Sequence, residues 1–159
     1  MEDEARVAII GGGAAGFFAA LSVAQHHPSA RVVIFEKTSK LLAKVKISGG
    51  GRCNVTNACF TPSALAKNYP RGGKQLKKAF SVFEAKDTVE WFTSKGVPLK
   101  TEVDGRMFPV TNSSQSIIDC LMQEAHESGV EIKMKSPIRS IVPDCGGFLL
   151  DSIRFDKVI

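Results

Sequence analysis

The chain has 159 residues, of which 43% are hydrophobic and 23% are charged, and its formal net charge is +5. This composition is typical of one globular domain and excludes a disordered, collagen-like or coiled-coil chain. No apolar run reaches the roughly 18–20 residues that a membrane span needs. The acidic start does not resemble an export signal or a transit peptide. We therefore expect a cytoplasmic protein without a membrane partner, and an organelle stays open if a presequence was removed.

The basic residues form two clusters, which suit an anionic cofactor as well as a nucleic-acid surface. One cluster surrounds a glycine-rich stretch, and we interpret the other as the solvated face of a helix. An aromatic segment near the second cluster could stack nucleic-acid bases, but its spacing is that of amphipathic helices, so we do not expect a nucleic-acid partner. The two clusters are Lys37, Lys40, Lys44, Lys46 and Arg52, and Lys67, Arg71, Lys74, Lys77 and Lys78.

The cysteines and histidines show no metal-binding pattern. The four cysteines form no C-x-x-C pair, and no histidine lies at zinc-finger spacing, so we expect no metal site and reduced thiols. Only Cys53 lies inside a motif. There, a small residue that fills a tight turn is a simpler interpretation than a redox role. We interpret the three histidines, which lie near predicted helix ends, as surface residues: His26, His27 and His126.

The first 36 residues show the pattern of a dinucleotide-binding unit. Residues 6–10 predict a buried strand, 14–26 predict a helix, and 31–35 predict a second buried strand that ends at Glu36. Three glycines between the first strand and the helix fit the spacing G-x-G-x-x-G. These are Gly11, Gly13 and Gly16.

Each position of this pattern has a chemical reason. Gly11 permits a tight turn, Gly13 lets a pyrophosphate approach the backbone, and Gly16 lets the helix pack close to the strand. The helix N-terminus offers N–H groups and the positive end of its dipole to phosphates. Glu36 can accept hydrogen bonds from ribose hydroxyls and would repel a 2′-phosphate, which disfavours NADP. The pattern predicts dinucleotide binding, and the alternative is a glycine-rich turn in an unrelated α/β domain.

A second glycine-rich loop over residues 44–57 favours FAD over NAD. A plain NAD domain would continue with a helix and a third parallel strand soon after Glu36. This loop instead has three consecutive glycines followed by Arg52, Asn54 and Asn57, which together provide many hydrogen-bond donors. Such a loop can bind a second part of an extended cofactor. The alternative is a flexible surface turn.

The sequence resembles the BaiN-type NAD(P)/FAD-dependent oxidoreductases, the group that also contains aminoacetone oxidase. The resemblance covers nearly the whole chain. It rests on the first glycine motif, on Glu36-Lys37, on the block Ile47–Asn57 and on Gly105–Val110, which matches the family segment G-R-x-F-P. It implies an extended FAD that transfers hydride or electrons through its isoalloxazine ring, with NAD(P)H as a candidate electron donor. No catalytic residue is identified.

The resemblance also implies contacts of individual residues with FAD. The first glycine motif would face the pyrophosphate, Glu36 the adenosine ribose, and the backbone near Ile138 the adenine. The second loop would line the side from the pyrophosphate to the flavin. The complete set of predicted contacts is Gly11, Gly13, Ala14, Ala15, Gly16, Glu36, Lys37, Lys44, Ser48, Gly49, Gly50, Gly51, Arg52, Cys53, Asn54 and Ile138.

The middle of the chain predicts helices and a hairpin. One helix is expected over 74–83, with Phe83 on its apolar side, and another from a capping box at Asp87–Glu90 to Gly96. A hairpin about Asp104-Gly105 and a helix over 115–128 follow, the helix with Ser114 as its cap.

Residues 130–134 predict the third parallel strand, so 37–129 would be an insertion within a single domain, 1–159. Two short strands, over 138–142 and 148–151, are expected to form a small meander. Residues 155–159 would begin the next core strand, which in the family continues into an A-T-G-G turn and, later, a substrate domain. We therefore expect a fragment or a short isoform.

These observations predict an α/β chain with a Rossmann-like FAD-binding fold of the glutathione-reductase type, in three layers and incomplete at its C-terminal end. Its predicted function is that of the FAD-binding portion of a flavin-dependent oxidoreductase whose substrate is unknown. An inactive truncated isoform or a cofactor-binding remnant is the first alternative. A basic nucleic-acid-binding module is the second.

Overall fold

The computed structural model describes residues 4–159, which group into two compact units. The first unit combines the chain up to Val45 with Leu121–Ile159, and the second consists of Lys46–Cys120. In chain order the elements are β1 (Arg6–Ile10), α1 (Ala14–His26), β2 (Arg31–Phe35), α2 (Ala43–Gly51), β3 (Thr56–Asn57), α3 (Pro62–Lys67), α4 (Gly73–Phe80), α5 (Ala85–Ser94), β4 (Leu99–Thr101), β5 (Arg106–Pro109), α6 (Ser114–Glu127), β6 (Glu131–Lys133), β7 (Ile141–Asp144), β8 (Gly147–Leu150), β9 (Ile153–Phe155) and β10 (Lys157–Val158).

A parallel sheet of four strands, in the order β10-β1-β2-β6, forms the centre of the first unit. The central residues of β1 and β2 are buried, because β-branched and aromatic side chains suit a parallel sheet that is covered on both faces. Helix α1 connects these two strands and packs on both of them, and it buries Phe17, Ala20 and Leu21. The predicted strands and the predicted helix over residues 6–35 are confirmed.

An antiparallel meander, in the order β7-β8-β9, covers one face of this sheet. Leu150 and Phe155 of the meander are buried together with Ala8, Val33 and Phe35 of the sheet. The rings of Phe35 and Phe155 meet edge to face with their centroids 5.7 Å apart. Because side chains alternate along a strand, the neighbouring residues of β1 and β2 face α1 on the other side. The first unit therefore has three layers: helix, sheet and meander.

The second unit contains an antiparallel sheet of three strands, in the order β3-β5-β4. The predicted hairpin between β4 and β5 is confirmed. Gly105 has a φ of +83°, and the Asp104 carboxylate accepts the N–H of Arg106 at 3.1 Å. Strand β3 was not predicted, because its two polar residues show no apolar alternation.

Helices α4 and α5 have bounds that differ from the predicted ones. Helix α4 ends at Phe80, and Phe83 lies beyond it with 44% of its surface exposed. Helix α5 begins a turn before the predicted capping box. Its N-cap is Glu84, whose N–H donates to the Asp87 carboxylate at 2.7 Å. Gly96 ends α5 as predicted, with a φ of +79°.

The predicted cap of α6 is also wrong. Ser114 is buried and is the first helical residue, and its hydroxyl donates to the carbonyl of Lys46 at 2.8 Å. The hydroxyl of Ser113 accepts the N–H of Gln115 instead, at 3.3 Å. Two adjacent serines are equivalent in a sequence pattern, so the long-range partner of Ser114 decides between them.

The C-terminal strands are placed slightly differently from the prediction. The third parallel strand is confirmed as β6, and β10 pairs in parallel with β1. The meander has a third strand, β9, that was not predicted. It follows a turn in which Asp151 and Ser152 both have positive φ, of +45° and +79°. Such turns usually contain glycine or asparagine, so this pair gave no turn signal.

Candidate cofactor site

The loop between β1 and α1, in the first unit, is packed too tightly for side chains at several of its glycines. Gly11 has a φ of +112°, a value that side-chain-bearing residues rarely adopt. A Cβ atom at position 16 would collide with the carbonyl oxygen of Gly11 and would lie 3.4 Å from Cγ2 of Ile9. A Cβ at Gly12 would lie 3.1 Å from that of Glu36. Gly12 was not among the predicted site residues, although three consecutive glycines could have indicated it.

Gly13 differs from Gly12 and Gly16 because its side of the loop is open. It is the N-cap of α1, with a φ of −95°, and a Cβ added to it would meet nothing within 4 Å. No side chain caps the helix, and its first turn contains no acidic residue. Ala14 and Ala15 are exposed in that turn. The positive end of the α1 dipole is therefore uncompensated and accessible, as an anion site requires.

The carboxylate of Glu36 closes the loop from the end of β2. Its Oε2 accepts the N–H of Gly12 at 3.0 Å, and its Oε1 accepts the N–H of Thr38 at 2.8 Å. These bonds, with that of Thr38 first, hold the pKa of Glu36 below its ordinary value. A carboxylate has about four acceptor positions. Glu36 can therefore bind a ligand hydroxyl while it keeps both backbone bonds.

A cavity of about 280 Å³ lies at the carboxyl ends of β1 and β2, within the first unit. Its volume is close to the lower limit of about 300–1,000 Å³ for small-molecule sites. The segment after β6 forms one wall and is held by a 2.9 Å bond from the N–H of Ser136 to the carbonyl of Glu36. The lining consists of Ile10, Gly11, Phe35, Glu36, Lys37, Ser136, Pro137 and Ile138.

This cavity brings together four predicted site residues that are up to 127 positions apart: Gly11, Glu36, Lys37 and Ile138. The predicted residues of the first helical turn adjoin Gly11 in the chain but do not line the cavity. Lys44 is exposed on α2 and does not line it either. Sequence reasoning missed Ser136 and Pro137, since no motif marks the segment that follows β6.

The second predicted loop is an interruption of helix α2, and Ser48–Asn54 lie in the second unit. Ser48 is extended, and all three glycines that follow have positive φ, of +55°, +69° and +85°. A Cβ on Gly49 would lie 2.8 Å from both the backbone N of Asn54 and Cε1 of Phe108, whereas Gly50 and Gly51 border open space. One glycine is therefore required for packing, and two leave backbone accessible.

The side chain of Arg52 is engaged within the second unit. Its guanidinium forms a salt bridge with Glu102 and lies over the ring of Phe108, 4.0 Å from the centroid. Its Nε also donates to the carbonyl of Gly49 at 3.4 Å. These contacts give Arg52 a structural role in holding the glycine turn against β5. The predicted contact of Arg52 with a cofactor stays a prediction.

Cys53 is buried with a φ of +61°, and its N–H donates to the carbonyl of Ser48 at 3.0 Å. Burial raises the pKa of its thiol, so the reactive thiolate is disfavoured. This environment supports the interpretation of Cys53 as a small residue in a tight turn. Asn54, which follows it, is exposed.

Other site types receive no support from residues 4–159. Within this range, no group of three or more histidine, cysteine or acidic side chains could hold a metal ion. The described helices are also too short or too polar for any of them to cross a membrane. The three histidines are exposed.

The geometry of the first unit defines a Rossmann-type dinucleotide-binding fold, and comparison with known proteins identifies its family. The model of the HI0933-like protein Rossmann domain matches residues 5–157, so the chain belongs to this family. This confirms the predicted membership of a flavoprotein oxidoreductase family and the predicted α/β fold.

Two curated relatives and one solved structure show how far the similarity extends. The chain is 31% identical to a 3-dehydro-bile acid Δ(4,6)-reductase of Clostridium scindens, over 97% of this chain and 38% of the relative. It is 32% identical to a ribosomal RNA dihydrouridine synthase of Escherichia coli, over 90% of this chain and 34% of the relative. The chain thus spans little more than a third of these relatives. Glycine oxidase from Geobacillus kaustophilus has the same fold, with a TM-score of 0.52 and 19% identity, over 97% of this chain and 54% of that one.

Proposed function

We propose that this chain binds FAD as the cofactor-binding part of an oxidoreductase, and that its first unit holds the ADP half. The observation that carries this proposal is the cavity of about 280 Å³ that joins Gly11, Glu36 and Ile138 at the carboxyl ends of the parallel strands. Ligands of open α/β sheets bind at that edge. The family and the fold support FAD as the cofactor.

The residues of the first unit fit the chemical parts of ADP. The uncapped first turn of α1 offers N–H groups to a pyrophosphate, and Gly13 leaves room for the phosphates to approach. Glu36 keeps acceptor positions for ribose hydroxyls. Ile10, Pro137 and Ile138 provide apolar walls suited to a flat adenine ring.

The charge of Glu36 selects among dinucleotides. Its lowered pKa keeps the carboxylate ionised at neutral pH, so a 2′-phosphate in the same place would meet a negative charge. Lys37 is adjacent and exposed, and its charge acts in the opposite sense. Both side chains line the cavity, but only the carboxylate is held there by two backbone hydrogen bonds. We therefore expect its charge to dominate, and FAD to be bound in preference to NADP.

The second unit provides the proposed contacts on the flavin side. Gly50 and Gly51 have accessible backbone and no neighbour that a Cβ would touch. The positive φ values of this turn take its N–H groups out of the helical hydrogen-bond pattern. N–H groups that are left accessible in turns can bind anions. We assign this part of the cofactor to the residues of the turn, which are Ser48, Gly49, Gly50, Gly51, Arg52, Cys53 and Asn54. Lys44, which belongs to the first unit, is also proposed to contact the cofactor.

The bound flavin would supply hydride or electron transfer, and the protein would supply binding and orientation. The named relatives act on unlike substrates, a 3-dehydro-bile acid and ribosomal RNA. NAD(P)H is the proposed electron donor. The chain covers about a third of those relatives. We propose flavin-dependent hydride or electron transfer as the reaction of the whole protein.

The test is the flavin content of the purified chain. We expect a flavin absorbance band, release of FAD on denaturation, and uptake of added FAD near one per chain. NAD⁺ and NADP⁺ should compete weakly, and NADP⁺ least. A folded, colourless preparation that takes up no added FAD would contradict the proposal.

A further inference from the structure

The second basic cluster lies on α3, α4 and the loop between them, and these two helices of the second unit pack mainly on each other. All five cations are exposed, and no residue of α4 is buried. Among residues 4–159, no carboxylate forms an ion pair with any member of the cluster. The unneutralised cations are Lys67, Arg71, Lys74, Lys77 and Lys78.

The charge of this part of the chain has a single sign. Residues 37–83 contain ten cations and no acidic residue. Since the formal net charge of the whole chain is +5, the remaining residues carry a net charge of −5. An ordinary solvated helix mixes the two signs, as α5 of the same unit does with the pair Lys86–Glu90 at 3.6 Å. Cations without acids nearby repel one another, so an anionic partner would relieve the repulsion.

Three lysines of the cluster occupy one face of α4. They are three and four positions apart, a spacing that places side chains on the same side of a helix. They are Lys74, Lys77 and Lys78. On the other side of the helix Phe80 is half-buried, and its ring lies 5.7 Å from that of Tyr69. The lysine face is therefore the face that α4 turns to solvent.

An apolar side chain extends this lysine face. The N–H of Ser81 donates to the carbonyl of Lys77 at 3.2 Å, and the N–H of Val82 donates to that of Ala79 at 3.0 Å. The helical turn thus continues past the end of α4, and Val82 lies about one turn beyond Lys78 on the same side. Val82 is 83% exposed, so it adds little to the packing of this chain.

From these observations we propose that the lysine face of α4, together with Val82, binds the surface of an anionic lipid membrane. The lysines contact headgroup phosphates, and Val82 enters the boundary between headgroups and acyl chains. Helices that lie on membranes combine these two kinds of side chain. Each cation near an anionic leaflet raises the affinity about fivefold. The expectation of no membrane partner rested on the lack of a spanning segment, and a helix that lies on the surface needs none.

The composition of the cluster favours lipid over an acidic protein or a nucleic acid. Four of its five cations are lysines. Protein interfaces are depleted in lysine and enriched in arginine, whose planar fork binds carboxylates in a fixed geometry. A nucleic acid would attract the cations but would give no role to an exposed valine beside them. The proposal extends beyond FAD binding, and the cluster shares no residue with the proposed cofactor contacts.

The experiment is co-sedimentation of the full chain with lipid vesicles. One set is pure phosphatidylcholine, and the other contains about 30% phosphatidylserine. We expect binding to the anionic vesicles to be at least about tenfold tighter than to the neutral ones. Binding should also weaken as the salt concentration rises, because the charges involved are exposed.

Three variants test the individual side chains. Lys78→Gln should weaken binding to anionic vesicles about fivefold, and the double change Lys77→Gln and Lys78→Gln at least about tenfold. Val82→Ser should weaken it several-fold without changing the salt dependence. Lys86→Gln is the matched control, because it removes one exposed lysine from α5, and it should leave binding unchanged. Helix content measured by circular dichroism should match the wild type in every variant.

Four results would overturn the proposal. Equal binding to the two kinds of vesicle would exclude an anionic membrane as the partner. Equal effects of Lys78→Gln and Lys86→Gln would remove the lysine face from the contact. Unchanged binding by Val82→Ser would leave an interaction of charge alone. Tighter binding to a polyglutamate peptide or a DNA oligomer than to vesicles of equal anion concentration would reassign the face to an acidic protein or a nucleic acid.

Discussion

The backbone N–H of Gly12 donates a 3.0 Å hydrogen bond to Oε2 of Glu36, and this bond joins the loop after β1 to the end of β2. The acid that ends the second strand therefore stabilises the glycine loop in addition to any contact with a ligand. Loop shape and ligand affinity are linked through one carboxylate.

Glu36→Gln should lower both stability and FAD affinity. An amide can accept only one of the two N–H groups and faces the other with a donor. We expect a loss of about 1–2 kcal/mol in the free energy of unfolding. Urea denaturation and FAD titration measure the two effects. Glu90→Gln is the control for removing a surface charge, and an equal effect of both variants would contradict the role given to Glu36.

The same carboxylate should contribute to acid sensitivity. Its pKa in the folded chain is lowered, first by the N–H of Thr38 and then by that of Gly12. The stability that it provides is therefore complete above the pKa of the unfolded state and is lost as the pH falls through the folded value. The difference in stability between wild type and Glu36→Gln, followed by urea titration at successive pH values, should shrink below that range. A constant difference down to low pH would disagree with this assignment.

Gly13 and Gly16 should respond to substitution in opposite ways. Gly13→Val should fold with nearly unchanged stability and lose FAD, because its side chain enters the open space at the N-terminus of α1. Gly16→Ala should lose at least about 2 kcal/mol of stability, because its Cβ meets the carbonyl of Gly11. Thermal denaturation and flavin content measure the two outcomes. A folded Gly13→Val chain with stoichiometric FAD would refute the phosphate assignment.

Arg52 and Glu102 should be energetically coupled. A double-mutant cycle with Arg52→Met and Glu102→Gln should give a coupling energy of about 1 kcal/mol, since the pair is two-thirds buried and the guanidinium also stacks on Phe108. The exposed pair Lys86–Glu90 is the matched control and should give about 0.3–0.5 kcal/mol. Equal coupling energies in both cycles would contradict the structural role given to Arg52.

The thiols should react in the order of their exposure. Cys145 is exposed, whereas Cys53 is buried and has a raised pKa. A thiol reagent should therefore modify Cys145 rapidly and Cys53 only on unfolding. Cys145→Ser should remove the fast phase. Rapid modification of Cys53 in the folded Cys145→Ser chain would contradict this expectation and would favour a redox role for Cys53.

The elements that were predicted correctly are those whose local sequence pattern favours the same structure as their packing in the fold. Strands β1 and β2 are continuous apolar runs in a covered sheet, and α1 follows a glycine turn, so periodicity and motif were sufficient. The third parallel strand was also predicted, and it is β6, which follows the long insertion and pairs with β2.

The features that escaped prediction depend on partners distant in the chain. Ser114 differs from Ser113 only because the carbonyl of Lys46 accepts its hydroxyl. Ser136 and its neighbour Pro137 line the cavity of the first unit where the N–H of Ser136 donates to the carbonyl of Glu36, next to the end of β2. No spacing rule reports such contacts.

The pairing of β1 with β10 has a consequence for folding during synthesis on the ribosome. The N–H of Arg6 donates to the carboxylate of Asp156, and Val7 lies opposite Lys157, so the strand made first acquires its second neighbour about 150 residues later. Contacts this distant in the chain carry a large loop-closure cost and slow folding. Until they form, one edge of β1 is exposed to pairing with other nascent chains. We therefore expect chaperones that bind nascent chains, or slower translation, to raise the yield of folded chain.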